Sequence, residues 1–423
     1  VNSAVLVKRD GFIDNNRLVA SLRVRYVHPE RNGIMRVGIV CYPTYGGSGV
    51  IATELGKALA DKGHQIHFIS YAMPMRLDGY LGNVFYHEVE MSSYPLFEFP
   101  LYTPALASKM VEVARFEKLD LIHAHYAVPH ATSAYLAREI VGNGLKIVTT
   151  LHGTDITLVG LEPSFLPVMK FSIENSDGVT AVSRFLREKT TTNYGINKEI
   201  TVIPNFVDTE KYRRLPCENI CEKFAPNREK ILVHVSNFRS VKRVPDVIRI
   251  FNEVHKKIDS RLILAGDGPD RSACELLVRE LNLRQHVRFL GKQLELVPIL
   301  SAADLFLMPS QSESFGLSAL EAMACEVPVV SSSVGGLPEL QVHGETGYIA
   351  EIGDIDRMAR YAIELLTNDT KRAMFGSAAR KRAVEHFDAR RIVNVYEEYY
   401  LQCVAGFPKQ QETESKIPHS QFS

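Results

Sequence analysis

The chain has 423 residues, 45% of them hydrophobic, which exceeds the roughly 250 to 300 residues that one hydrophobic core organises and points to two domains. Its 49 basic and 49 acidic residues cancel, which argues against nucleic-acid binding or stable membrane association and leaves any anion to be met locally. The six cysteines (Cys41, Cys217, Cys221, Cys274, Cys325 and Cys403) form neither a CxxC pair nor a zinc-type cluster, and no apolar run approaches the roughly 18 residues of a membrane span, so a reduced, cytoplasmic chain is expected.

Residues 1–34 show weak periodicity, whereas Met35 precedes the apolar run Arg36-Val-Gly-Ile-Val-Cys41. The functional fold is therefore expected to start near Met35, with 1–34 an extension. Short apolar runs then alternate with amphipathic stretches: Val37–Cys41, a helix ending near Lys62, Ile66–Ser70, Leu121–Ala124 and Lys146–Leu151. That alternation predicts βαβ units and a parallel sheet covered on both faces. The aromatic, proline-bearing stretch Tyr94–Tyr102 reads as a lid or packing loop.

Periodicity fades after Val202-Ile-Pro-Asn-Phe-Val-Asp208, which sets the expected domain junction near Asn205–Asp208. A second series follows, with predicted strands at Lys230–Ser236, Arg261–Ala265, His286–Leu290, Leu305–Met308 and Pro328–Ser331. The boundaries read as 35–206 and 207–386, then a tyrosine-rich helix within 387–407 that crosses back to the first domain, then a polar, disordered tail over 408–423.

Several residues carry chemistry. Tyr45-Gly46-Gly47-Ser48-Gly49 follows the first strand and opens a helix, so its backbone N–H groups suit an anion. It is neither a Walker A loop nor a dinucleotide fingerprint, and many such loops only let helix and strand approach. Glu313-Ser-Phe-Gly-Leu-Ser-Ala-Leu-Glu321 sets two glutamates around a glycine turn; a helix starting near Gly316 would face an anion, although an ordinary amphipathic helix with two solvated glutamates fits the same spacing. His152 follows a predicted strand, at the mouth where open α/β sheets bind ligands; a buried structural histidine is the alternative.

On these residues the chain resembles the retaining GT-B glycosyltransferases of family 4, whose two glutamates seven residues apart hold a nucleotide sugar. The resemblance spans roughly Met35 to Val404. It implies an α/β GT-B fold: two Rossmann-like, doubly wound parallel-sheet domains facing a central cleft, with 35–206 binding the acceptor and 207–386 the donor. The set Cys41–Gly49, His123–His130, Thr149–Asp155 and Asn237–Lys242 is similar to the branch that makes N-acetylglucosaminyl-malate at the start of bacillithiol synthesis. UDP-GlcNAc is then the implied donor and L-malate the implied acceptor, and no metal or other cofactor is implied.

Carried over by resemblance, Gly47 meets the donor phosphate, Glu321 the ribose and Glu313 the sugar hydroxyls, with Ser314, Phe315, Gly316 and Leu317 forming the turn between. Lys242 matches one member of the family's basic pair; the other position reads Asn237, which leaves Arg239 as the candidate second cation. His152, Lys242 and Glu313 are the implied catalytic set. Ser48, Tyr126, Thr150 and His152 are candidates to hold the acceptor's carboxylates. The spacing does not say whether Arg76 points inward, so it receives no role.

Asp354-Ile-Asp356 reads as a helix N-cap rather than a metal motif, and His123, His125 and His130 lack zinc-like spacing and read as lining a strand end. Other acceptors (an inositol phosphate, a lipid, a glucan), a non-catalytic nucleotide-sugar-binding protein and an epimerase remain the competing readings, and homo-oligomer formation is open.

Overall fold

The computed structural model describes residues 33–44, 46–77, 81–91, 101–142, 144–157 and 162–406. The expectations for most of the 1–34 extension, for most of the Tyr94–Tyr102 loop, for Tyr45 and for the polar tail lie outside the described residues.

Two parallel sheets carry the fold. The first holds β1 (Arg36–Val40), β2 (Gln65–Ser70), β3 (Val84–Glu88), β4 (Leu121–His125), β5 (Lys146–Leu151), β6 (Gly178–Ala181) and β7 (Thr201–Val202), in the order β3-β2-β1-β4-β5-β6-β7. The second holds β8 (Lys230–Val235), β9 (Ser260–Ala265), β10 (Val287–Gly291), β11 (Leu305–Met308), β12 (Val329–Ser332) and β13 (Gly347–Ala350), in the order β10-β9-β8-β11-β12-β13. Each starts at its centre and winds outward both ways, so each has a switch point at its middle, β1/β4 and β8/β11, where ligands of open sheets bind. The two-sheet, doubly wound class expected from the sequence is the one observed.

The central strands are continuous apolar runs because helices cover both faces: Val37, Ile39, Val40, Leu232 and Val233 are fully buried. The strands absent from the sequence reading are β3, β6, β7 and β13. β3 is an edge strand with Phe85 and Glu88 exposed, β7 has two residues, and β6 and β13 are four-residue runs that open on glycine. None presents a long apolar signal.

The Ala389–Ala405 helix returns to the first sheet. Asp388 caps it through Arg390 N and also accepts from the Thr209 hydroxyl, which fixes its start at the chain crossing. Tyr396 and Tyr400 are fully buried, and their hydroxyl ends need partners. Tyr400 finds His123 Nδ1 at 2.6 Å, and Tyr399 donates to the Val179 carbonyl at 3.1 Å. At the solvent side Glu397 pairs with Lys62 and with His64.

Candidate active site

The first wall of the site is built where β1, β4 and β5 end. Gly47–Asp61 is a 15-residue helix entered from Gly46 in extended backbone, and no side chain caps its N-terminus; its first N–H groups therefore point outward as anion donors. Ser48, in its first turn, bonds Tyr126 at 2.8 Å. Tyr126 follows β4 and holds φ at +99°, a costly conformation for a tyrosine that concentrates at functional sites. Its ring lies 5.4 Å from that of His152, which follows β5. Ser48, Tyr126 and His152 thus form one patch from three strand ends.

Behind the patch is a buried histidine cluster. His152 Nε2 meets His125 Nδ1 at 2.8 Å, the His123 and His125 rings are 4.1 Å apart, and His130 Nδ1 donates to the His125 carbonyl. Burial pushes His123 and His152 down to about 3 and His130 to about 4, and holds His125 well below its ordinary value. All four imidazoles are neutral at pH 7. Burial acts oppositely on Asp155, raising it to about 6 despite bonds from Gly153 N and Ala127 N.

The second wall carries charge. Lys242 ends a short helical turn after β8 and meets Glu313 at 2.5 Å. Gly316 has φ +99° and starts the Leu317–Ala324 helix; a Cβ there would strike Leu337 at 2.6 Å, so only glycine makes this turn. The Glu313 carbonyl accepts from Gly336 N at 3.0 Å, which holds the turn from behind. Asn237 carries a buried side-chain oxygen without a partner, a group that calls for a ligand or water.

The walls touch. Gly47 lies against Leu317, a Cβ placed on it falling 3.6 Å from that side chain, so two uncapped helix starts face each other. Gly153 lies directly on Ser314. Glu339 accepts from Arg184 N at 3.0 Å and Phe185 N at 2.8 Å, capping a helix of the opposite domain.

Residues 45–211 match the family described as Glycosyltransferase Family 4, and residues 218–382 match Glycosyl transferases group 1. Over 367 residues the chain is 46% identical to N-acetyl-alpha-D-glucosaminyl L-malate synthase of Bacillus anthracis, an alignment that covers 86% of this chain and 96% of that one. The chain belongs to glycosyltransferase family 4. The fold agrees with solved relatives: sucrose-phosphate synthase of Thermosynechococcus elongatus (TM-score 0.74, 21% identity, 88% of this chain and 99% of that one) and Anabaena HepE in complex with UDP-glucose (TM-score 0.72, 24% identity, 86% and 99%).

Within this glycosyltransferase the structure brings most of the candidate residues to one cleft: Gly47, Ser48, Tyr126 and His152 from one side, and Lys242, Glu313, Ser314 and Leu317 from the other, while Glu321 is buried within its helix and paired with Arg76. Phe315 and Gly316 are buried beneath the turn. Thr150 is a correction. Its hydroxyl is fully buried between His123 Nε2 and Thr180 Oγ1, both at 2.6 Å, because β5 is an interior strand between β4 and β6 and is covered on both faces; it braces the histidine cluster and cannot reach an acceptor. Arg239 is exposed on the turn before Lys242. Arg76 was missed: it crosses to Glu321 at 3.1 Å and lies 5.8 Å over the Tyr212 ring. It holds φ at +65°, and no spacing in the sequence signals the contact.

Proposed function

We propose that this enzyme transfers N-acetylglucosamine from UDP-GlcNAc to the hydroxyl of L-malate, with retention at the anomeric carbon and without a metal, as the first step of bacillithiol synthesis in the cytoplasm. The observation that carries the reading is the 46% identity to the Bacillus anthracis synthase over 96% of its length. A net charge of zero, six free cysteines and no described helix long and apolar enough to cross a membrane are compatible with it.

The chemistry follows from the two walls. The departing UDP gains negative charge on its phosphates, and Lys242 with the starts of the Gly47–Asp61 and Leu317–Ala324 helices is fixed in advance to receive it. Lys242 and Glu313 already pair at 2.5 Å, so little reorganisation accompanies the reaction. Glu313 lies under the sugar ring and Glu321 takes the ribose. The anomeric carbon becomes positive as its bond to phosphate breaks. A neutral His152 offers that sugar a hydrogen bond without adding a repelling charge, which its low pKa of about 3 supports. The acceptor hydroxyl attacks from the face the phosphate leaves, and the phosphate oxygen takes its proton. Ser48 and Tyr126, with the helix N–H groups, hold the acceptor carboxylates.

The test is UDP release from UDP-GlcNAc in EDTA, with and without L-malate, and the anomeric coupling of the product by NMR. Malate-dependent release with an α-linked product is expected. Release only with another acceptor overturns malate, release that requires added metal overturns metal independence, and no transfer to any acceptor favours a nucleotide-sugar-binding protein without catalysis.

A further inference from the structure

We propose that His67, His87 and Glu117 form a binding site for a zinc-type divalent cation on the β2/β3 edge of the first sheet, apart from the cleft, which ties both strands to the end of the Tyr102–Glu117 helix. One ligand atom from each residue lies within 4.8 Å of the other two.

The placement follows from the strand period. β2 and β3 run parallel with His67 opposite Phe85 and Ile69 opposite His87, so His67 and His87 are diagonal neighbours on one face. That face is covered by the Tyr102–Glu117 helix, whose Leu106, Met110 and Val113 join Ile69 in one apolar cluster. Glu117 is the last residue of that helix and brings a carboxylate over the two rings.

His67 Nδ1 and His87 Nε2 are 3.0 Å apart, so a single proton lies between two nitrogens that are both metal donors when unprotonated. The His67 ring is fixed by stacking on Phe85 at 4.8 Å. No cation pairs with the Glu117 carboxylate among the described residues. A metal ion replacing the shared proton satisfies both nitrogens at once. Two nitrogens on a tetrahedral zinc, each at about 2.0–2.1 Å, sit roughly 3.4 Å apart, close to the spacing here. Two nitrogens and one carboxylate oxygen favour zinc and its neighbours over magnesium or calcium, with water completing four-coordination.

The site is structural. β3 is the open edge of the sheet, and a metal bridging β2, β3 and the helix secures it. The experiment uses the full chain, stripped with EDTA and desalted. Zinc is titrated by calorimetry and counted per chain by mass spectrometry, cobalt is substituted for its visible tetrahedral spectrum, and Tm and UDP release are followed. About one zinc per chain is expected. Tm should rise by roughly 5 °C at a hundredfold excess over Kd, with an unchanged rate of transfer. Glu117→Gln and His87→Gln should lose the zinc, the cobalt spectrum and the Tm rise while keeping the helical circular dichroism. Glu117→Gln decides the matter if His87→Gln does not fold, because Glu117 is half-exposed. Equal zinc retention in the wild type and Glu117→Gln, or none in either, overturns the proposal.

Discussion

The two walls of the cleft differ in their electrostatics. The second-domain wall uses fixed charge, with Lys242 and Glu313 paired at 2.5 Å and Glu321 held by Arg76 at 3.1 Å. Apart from Arg76, which reaches across to Glu321, the first-domain wall uses neutral polar groups, with Ser48, Tyr126 and His152 set before histidines that burial keeps unprotonated. The difference matches the charges in the proposed reaction: negative charge grows on a leaving diphosphate, where cations help, and positive charge grows on the sugar, where a second cation would oppose the reaction.

Removing charge from the charged wall should have the largest effect. Lys242→Ala removes the cation and strands Glu313, and a fall in kcat of about 10²- to 10³-fold is expected, with the fold intact by circular dichroism. His152→Gln keeps a hydrogen-bonding group and should lose far less. Comparable losses in both variants would end the assignment of the electrostatic work to one wall.

The seam between the walls is the next test. Gly153 has φ +114°, and a Cβ there would overlap Ser314 Oγ and lie 2.7 Å from Ser314 Cβ. Gly153→Ala should therefore push the walls apart and cut kcat/KM by about 10²-fold, as a displacement of about 1 Å does in a preorganised site. Ser314→Gly in the same chain removes both colliding atoms and should recover part of that loss. The remainder is the backbone strain at positive φ. No recovery would mean that strain, and not the seam, dominates.

The parts of this arrangement that were legible in the sequence are those written in local pattern. Lys146–Leu151 and Leu305–Met308 were predicted with the bounds observed, because a buried parallel strand is a continuous apolar run. The glycine turn before Leu317 was visible because only a chain reversal at a helix start needs that residue there. What escaped depends on which way a side chain turns. Thr150 sits one residue from a strand end, and only the placing of β5 between β4 and β6 takes its hydroxyl to His123 and Thr180. Arg76 reaches Glu321 across 245 positions of sequence, and no spacing encodes a contact between domains. The histidines of His123–His130 were read as a strand-end lining; their joining with His152 and Tyr400 into one buried network needed the neighbouring strand β5 and the last helix.

That network gives the smallest and most specific prediction. His123 is fully buried, with a pKa of about 3 against an ordinary 6.5. Between those values the unfolded chain binds a proton that the folded chain refuses, so stability falls as pH drops through 6.5 toward 3. From pH 7 to pH 5 this one group accounts for roughly 2 kcal/mol of lost stability. Asp155, raised from 3.8 to about 6, works against it: its contribution is fully present below 3.8 and is lost as pH rises through 6. His123→Asn should therefore be less stable than the parent at pH 7 yet lose about 2 kcal/mol less on going to pH 5, whereas Asp155→Asn should lose more than the parent. Urea unfolding of the three chains at both pH values reads the difference. Parallel losses in the parent and His123→Asn would mean that His123 protonates inside the folded protein, and the first wall would then not be neutral.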